Sequence, residues 1–336
     1  MSFLADPPFW QRFRQAPLPQ RAGWLAQALS VGLFWQLCLM LSPDRASRLG
    51  RLAMQLIGPR LQRSIKIEGN LRHAFPDWDE EQIHALARQV WGNIGAVTAE
   101  YPHLERIAER QRLETVFKEG TETILRAGRP VIFVAGHLAN WEVAPLAITQ
   151  LMKQPVSVVH SRQRNPLFDG MLQRRREPLQ CGFVNKGAGA RPLLQLLEAG
   201  NSLGFVADVR INSGQPLPFF GKDAMTTITP ARLALKYGCP LLPVQVERLA
   251  GARFRVTVHP PLETGDPAAD ATTRAMQMMT RVNALYESWI RQHPAQWWCP
   301  KNRWPKNQKK IRMLMAQRRR ASEDRSRKTG GGREGG

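Results

Sequence analysis

The hydrophobic pattern of the chain changes character twice. Residues 23–41 run for nineteen positions without a charged side chain. That is close to the ~20 apolar residues needed to cross about 30 Å of hydrocarbon. Arg12, Arg14 and Arg21 precede the run, Arg45, Arg48 and Arg51 follow it, and Pro43 stops it. Trp24 and Trp35 sit where interfacial anchors would be. The polar Gln27, Ser30 and Gln36 weaken it as a spanning helix, so an in-plane interfacial helix and a buried core helix stay open beside it. A cleavable leader fits poorly, because the apolar run starts late and no small-x-small site follows before Pro43. Residues 1–22 are proline-rich and read as irregular. Residues 49–61 predict an amphipathic basic helix. Asp79 reads as an N-cap with Gln82 at the third helical position, a capping box opening a helix to about Tyr101.

From residue 131 the period shortens. Residues 131–135 (VIFVA) are a continuous apolar run, the mark of a strand buried on both faces. Residues 156–161, 202–208, 241–248 and 254–259 predict further strands. Helices are expected between and after them: 191–199, ended by Gly200; one from Thr229-Pro230 to about Tyr237; and a long one over 271–292. Strand–helix alternation of this kind predicts an α/β fold, a mostly parallel sheet flanked by helices. The expected organisation is an irregular 1–22, a membrane anchor or interfacial helix at 23–41, a catalytic domain at 42–305 and a basic tail at 306–336.

Composition narrows the class. With 336 residues and 43% hydrophobic content, a large core is possible and global disorder is excluded. The net charge of +21 implies acidic partners. Thirteen Lys/Arg against three Asp/Glu fall after residue 300, so about half of that excess is a basic tail. Such a tail is most simply an electrostatic anchor at an anionic membrane, worth ~1 kcal/mol per basic residue near the surface. A nucleic-acid role suits the charge but not the long uncharged run or the absence of a recognised binding motif. The four cysteines show no CxxC or zinc-finger spacing and read as incidental thiols in a reducing compartment; no metal is expected.

The stretch 131–142 carries the chemistry. A buried strand ends in Gly136 and His137, with Glu142 five residues on. Ligands of open α/β sheets bind at the carboxyl ends of strands. On an ideal helix the two residues would stand ~140° apart, so they can meet only if His137 lies in the turn before the helix and Glu142 in its first turns. That arrangement suits a histidine base oriented by a carboxylate. There is no Gly-x-Ser-x-Gly elbow, no His-Glu-x-x-His and no Walker A motif. A base without its own nucleophile should deprotonate a substrate hydroxyl. His160, at another strand end, reads as structural. Trp297, Trp298 and Trp304 suit an interfacial belt or the core equally. Arg174 to Arg176 read as a solvated helix face, or beside a membrane as a grip on lipid phosphates or an acidic protein.

Gly-His-Leu-Ala-Asn-Trp-Glu142 resembles the His-x4-Asp/Glu block of glycerolipid acyltransferases, and more closely that of the bacterial lipid A biosynthesis (lauroyl/myristoyl, late) acyltransferases. Three further blocks resemble that family in order and spacing: Asn70 to Pro76 (NLRHAFP), Pro218 to Ala234 (PFFGKDAMTTITPARLA) and Pro294 to Trp304 (PAQWWCPKNRW). The resemblance covers roughly residues 20–305. It implies acyl transfer from acyl carrier protein, with no cofactor, to a hydroxyl of an acylated glucosamine lipid at the cytoplasmic face of the inner membrane. A lysophospholipid or a mannosylated phosphoinositide is the alternative acceptor. His137 would be the general base and Glu142 its orienter. The family's oxyanion-stabilising arginine is matched here by Ser161, so Arg162 or Arg164 must substitute. The matching blocks further imply substrate contacts at Asn165, Asp208, Thr226, Thr227, Arg232 and Arg303, although helix-entry hydrogen bonding would also explain the two threonines. The family's Asp-Gln pair is here Asp208-Val209, with the glutamine lost.

Overall fold

A computed structural model of the protein describes residues 7–149 and 155–304. Five helices lead: α1 (Pro7–Gln15), α2 (Leu18–Leu39), α3 (Pro43–Ile57), α4 (Ser64–Ala74) and α5 (Glu80–Glu100). Residues 7–15, expected to be irregular, are therefore helical, and the apolar helix starts at Leu18 with Pro17 as its cap and Pro19 in its first turn, where proline is tolerated. The basic tail at 306–336 lies outside the described residues. α5 opens on the predicted capping box: Asp79 Oδ1 accepts from the Gln82 N–H at 2.8 Å, and Gln82 Oε1 from the Asp79 N–H at 2.9 Å. Gly50 of α3 and Gly95 of α5 lie so close that a Cβ on either would stand about 2 Å from the other's carbonyl oxygen (2.2 and 2.1 Å), so the two backbones touch.

The remaining elements alternate as far as β5, after which strands also follow one another directly. They are α6 (Leu104–Ile107), β1 (Leu113–Phe117), α7 (Thr121–Arg126), β2 (Ile132–Ala135), α8 (Val143–Thr149), β3 (Val156–His160), α9 (Pro166–Arg175), β4 (Gly182–Asn185), α10 (Arg191–Glu198), β5 (Ser202–Val206), β6 (Gln215–Phe219), β7 (Lys222–Thr226), α11 (Thr229–Tyr237), β8 (Leu241–Ala250), β9 (Arg253–Val258) and α12 (Ala271–Gln292). Seven strands form one sheet in the order β1-β9-β8-β2-β5-β3-β4. Every pairing is parallel except the β8–β9 hairpin. The expected α/β architecture is what the chain adopts. A separate hairpin, β6–β7, turns at Phe220-Gly221 with φ of +50° and +68°. Positive φ at both positions is what a two-residue turn between right-twisted strands requires.

β2 lies in the sheet's interior and shows why its sequence is apolar throughout. Ile132 and Val134 join one core cluster, with α10, α11 and α12; Phe133 and Ala135 join the other, with α8. Side chains alternate across the pleat, so a strand covered on both faces needs both sets apolar. The register around it places the site. Ala135 stands opposite Val206 of β5 on one side and Val244 of β8 on the other. His137 and Asp208, each two residues beyond that matched pair, therefore leave the sheet side by side.

Candidate active site

The register is realised as a close pair. His137 Nδ1 lies 2.6 Å from Asp208 Oδ1, and the His137 backbone N–H donates to Asp208 Oδ2 at 2.9 Å. The Trp297 indole N–H donates to the same Oδ2 at 3.1 Å. Asp208 is buried, whereas the His137 side chain keeps 23% of its surface open. Burial alone would raise the Asp208 carboxyl. The His137 ring, the His137 N–H and the Trp297 indole outweigh it and hold the group below the usual carboxylate range. A carboxylate at Nδ1 fixes that nitrogen as the donor and leaves Nε2 as the free acceptor. The Trp141 ring packs edge-on against His137, centroids 5.0 Å apart.

The carboxylate bonded to His137 is thus Asp208, where the sequence pointed to Glu142. Glu142 is buried and turned to other partners. The Arg176 Nε–H donates to Glu142 Oε2 at 2.8 Å, and Arg176 Nη2 pairs with Oε1. The Tyr101 hydroxyl and the Trp141 indole also donate to Oε1, at 2.9 and 3.2 Å. Burial pushes the Glu142 carboxyl up, and Arg176 with these donors brings it back below its ordinary range. Burial and the neighbouring Glu142 hold the Tyr101 phenol far above its own. Glu142 therefore reaches His137 only through Trp141, which it hydrogen-bonds and which packs on the ring. Arg176, read from sequence as part of a solvated helix face or a grip on lipid phosphates or an acidic protein, has a side chain only 11% exposed, because the chain leaving α9 turns it inward onto Glu142.

The loop between β2 and α8 is clamped from three directions. Ala139 has φ +50°, an uncommon conformation for a residue with a Cβ. Its N–H donates to Gln296 O at 2.9 Å, and its carbonyl accepts from Asn93 Nδ2 at 2.9 Å. The Trp298 N–H donates to His137 O at 2.8 Å, and Leu138 bridges Trp297. From α12 the Tyr286 hydroxyl donates to Ala135 O at 2.6 Å. Trp297 and Trp304 are buried in the core. One role of the Pro294–Trp304 block is therefore to seat the His137 loop.

The other expected site residues fall in different places. Thr226 is fully buried, donates to Ala224 O at 3.0 Å and accepts from Arg303 Nη2 at 2.7 Å. Arg303 is 2% exposed, donates also to Met225 O and stacks on Phe219; burial lowers its pKa to about 10. These two tie the C-terminal block to the β6–β7 hairpin. Asn165 is buried as the N-cap of α9 and donates to Trp24 O and Gln27 Oε1, both at 2.9 Å, which fastens α2 to the body. Thr227 accepts from the Thr229 N–H at the entry of α11, as helix-entry bonding required. Arg232 is exposed on α11; Arg164 is exposed and Arg162 half-buried. His160 is half-buried against Phe183, and burial followed by Arg176 lowers its pKa. Sequence reasoning missed the places of Arg176, Tyr101 and the Trp297 indole: Arg176 stood in an arginine run, Trp297 in a matched block, and Tyr101 only at the expected end of a helix.

A family model described as bacterial lipid A biosynthesis acyltransferase matches residues 20–306. A lipid A biosynthesis acyltransferase of Haemophilus influenzae is 22% identical over 281 residues, 80% of this chain and 84% of that protein. A phosphatidylinositol mannoside acyltransferase of Mycolicibacterium smegmatis is 24% identical over 199 residues, 58% of this chain and 63% of that protein.

Proposed function

The chain belongs to the bacterial lipid A biosynthesis acyltransferase family, and from that premise we propose that it moves a fatty acyl chain from acyl carrier protein to a hydroxyl of an acylated glucosamine lipid, a lipid A precursor. The observation that carries the reading is the His137–Asp208 pair at the carboxyl ends of two adjacent interior strands. Its free Nε2 takes the proton of the acceptor hydroxyl as the oxygen adds to the thioester carbonyl. Collapse of the tetrahedral intermediate breaks the C–S bond, and the imidazolium returns the proton to the leaving sulfur. Asp208 stabilises the imidazolium between those steps. The donor is cytosolic, so the catalytic body belongs on the cytoplasmic face of the inner membrane. The positive body and tail favour an acidic carrier protein and an anionic lipid surface.

The match to a phosphatidylinositol mannoside acyltransferase favours a mannosylated phosphoinositide as second acceptor class. The test offers labelled acyl-carrier-protein thioesters to membranes from expressing cells, with a tetra-acylated lipid A precursor or a mannosylated phosphoinositide, for wild type and His137→Ala. Transfer to the lipid A precursor by wild type alone supports the reading. Transfer only to the phosphoinositide replaces the acceptor, and equal transfer by both proteins removes His137 from the mechanism.

A further inference from the structure

Fourteen large hydrophobic side chains are exposed among the described residues, and twelve of them lie between residues 18 and 65. That is about one seventh of the chain, so the clustering is a built surface. On α2 five of them form one stripe, Leu18, Leu25, Leu29, Leu33 and Leu37, spaced by seven and then by fours, and Met40 continues it three residues on at the helix end. Leu52, Leu56 and Ile57 extend the exposed apolar surface on α3, and Leu61 and Ile65 extend it beyond. Exposed arginines border it, Arg12 and Arg14 before α2, Arg45 and Arg48 after it, and Arg60 and Arg63 at the far end. A large apolar patch rimmed by charge marks an interaction surface, and a basic rim complements an anionic leaflet.

By length and hydropathy α2 could cross a membrane. The structure ties it down along its length instead. Asn165 holds Trp24 and Gln27 near one end. The Trp35 indole donates to Thr98 O at 2.9 Å, and His103 Nε2 bonds Cys38 O at 2.9 Å near the other. Trp24 and Cys38 are fourteen residues apart, so about 21 Å of helix lies along the body. Behind those anchors sit the buried Glu100–Arg248 pair and the polar residues that serve it. Hydrocarbon would have to receive that body for α2 to span, at the cost of unsolvated polar groups.

We propose that α2 lies in the plane of the membrane with its leucine stripe and the exposed leucines of α3 sunk into one leaflet, so that the chain attaches to a single face of the bilayer. The groove of about 400 Å3 between α2 and α9, lined by Leu25, Leu29 and Met171 with Arg174 at its edge, then opens toward that leaflet.

The test places an environment-sensitive fluorophore on single cysteines replacing Leu25, Leu29, Leu33 and Leu37, in the full chain with Cys181 and Cys239 changed to Ala. Each protein is added to vesicles of phosphatidylethanolamine and phosphatidylglycerol carrying bromine at known depths. An in-plane helix gives all four probes the same shallow depth, roughly 5–10 Å below the headgroups. Exchanging phosphatidylglycerol for phosphatidylcholine should weaken binding at least tenfold. Depth that steps by about 6 Å from probe to probe overturns the proposal in favour of a spanning helix. Unquenched probes on a dimeric protein overturn it in favour of a second copy on the stripe. Epitopes at the two chain ends, protected from protease on opposite sides of cell-derived vesicles, would overturn it independently of the labelled variants.

Discussion

Asp208→Asn separates the carboxylate that orients His137 from the one that does not. Asp208 accepts three hydrogen bonds, from His137 Nδ1, the His137 N–H and the Trp297 indole. An asparagine can keep its amide oxygen at the Oδ2 position and retain the last two, so the loop stays seated. Its NH2 then faces Nδ1 and donates where the carboxylate accepted. The ring must answer with the proton on Nε2, the nitrogen whose lone pair the proposed proton transfer needs. The charge that stabilises the imidazolium is lost in the same step. An asparagine in this position of a Ser-His-Asp triad costs about 10⁴ in kcat through the wrong tautomer, or about 5 kcal/mol at ~1.4 kcal/mol per decade. We expect kcat to fall on the order of 10³–10⁴-fold, with KM nearly unchanged and thermal unfolding within a few degrees of wild type. Glu142→Gln should behave oppositely. It leaves Arg176 buried beside a neutral group, a loss of about 3–5 kcal/mol, which at roughly 1.4 °C per kcal/mol for 336 residues lowers Tm by about 4–7 °C. Steady-state transfer and scanning calorimetry on both variants decide the matter. If Asp208→Asn kept kcat within tenfold of wild type while Glu142→Gln lost it at an unchanged Tm, the orienter would be Glu142 and the geometry argued above would be wrong.

Trp297→Phe removes one donor to Asp208 Oδ2 while keeping an aromatic ring in the core; kcat should fall about tenfold, the worth of one hydrogen bond to a charged group, and an unchanged kcat would deny the indole that role. Asp208 has a folded pKa below its unfolded value, so its contribution to stability is complete above the ordinary carboxyl pKa of ~4 and is lost as pH falls through the folded value. The Tm advantage of wild type over Asp208→Asn should therefore shrink on acidification from pH 6 toward roughly 3, read by thermal melts across that range. Gly50→Ala drives a Cβ to 2.2 Å from Gly95 O and should cost about 1–3 kcal/mol or more, whereas Gly69→Ala in α4 meets nothing within 4 Å and should raise stability by up to ~1 kcal/mol. Denaturant melts that ranked the two substitutions the other way would contradict the packing of α3 on α5.

Much of the fold was legible because its signals are local. The apolar run of β2, the box at Asp79 and the Thr229-Pro230 start of α11 each declare themselves within a few residues. β6 escaped notice because Pro216 and Pro218 argue against a strand, yet a two-stranded hairpin has edges where a missing N–H costs nothing. The position of His137 just after a buried strand was legible. Its partner was not. Asp208 is 71 residues away, and it becomes a neighbour only because β5 pairs with β2, a strand order that no local pattern encodes. Glu142 was close in sequence but turned toward Arg176, and an inward turn of one arginine in a run of three is decided by packing alone.

The clamp on the His137 loop has a temporal consequence. Gln296 and Trp298 hold that loop by backbone hydrogen bonds, Trp297 holds Asp208, and Asn70 fixes the strap behind them through Cys299 O, Lys301 O and the Arg303 N–H. Synthesis proceeds from the other end, and folding tends to follow it. His137, Asp208 and the strands that carry them are therefore made before the strap that aligns them. A chain released before residue 304 keeps His137 and Asp208 and lacks part of the strap that aligns them.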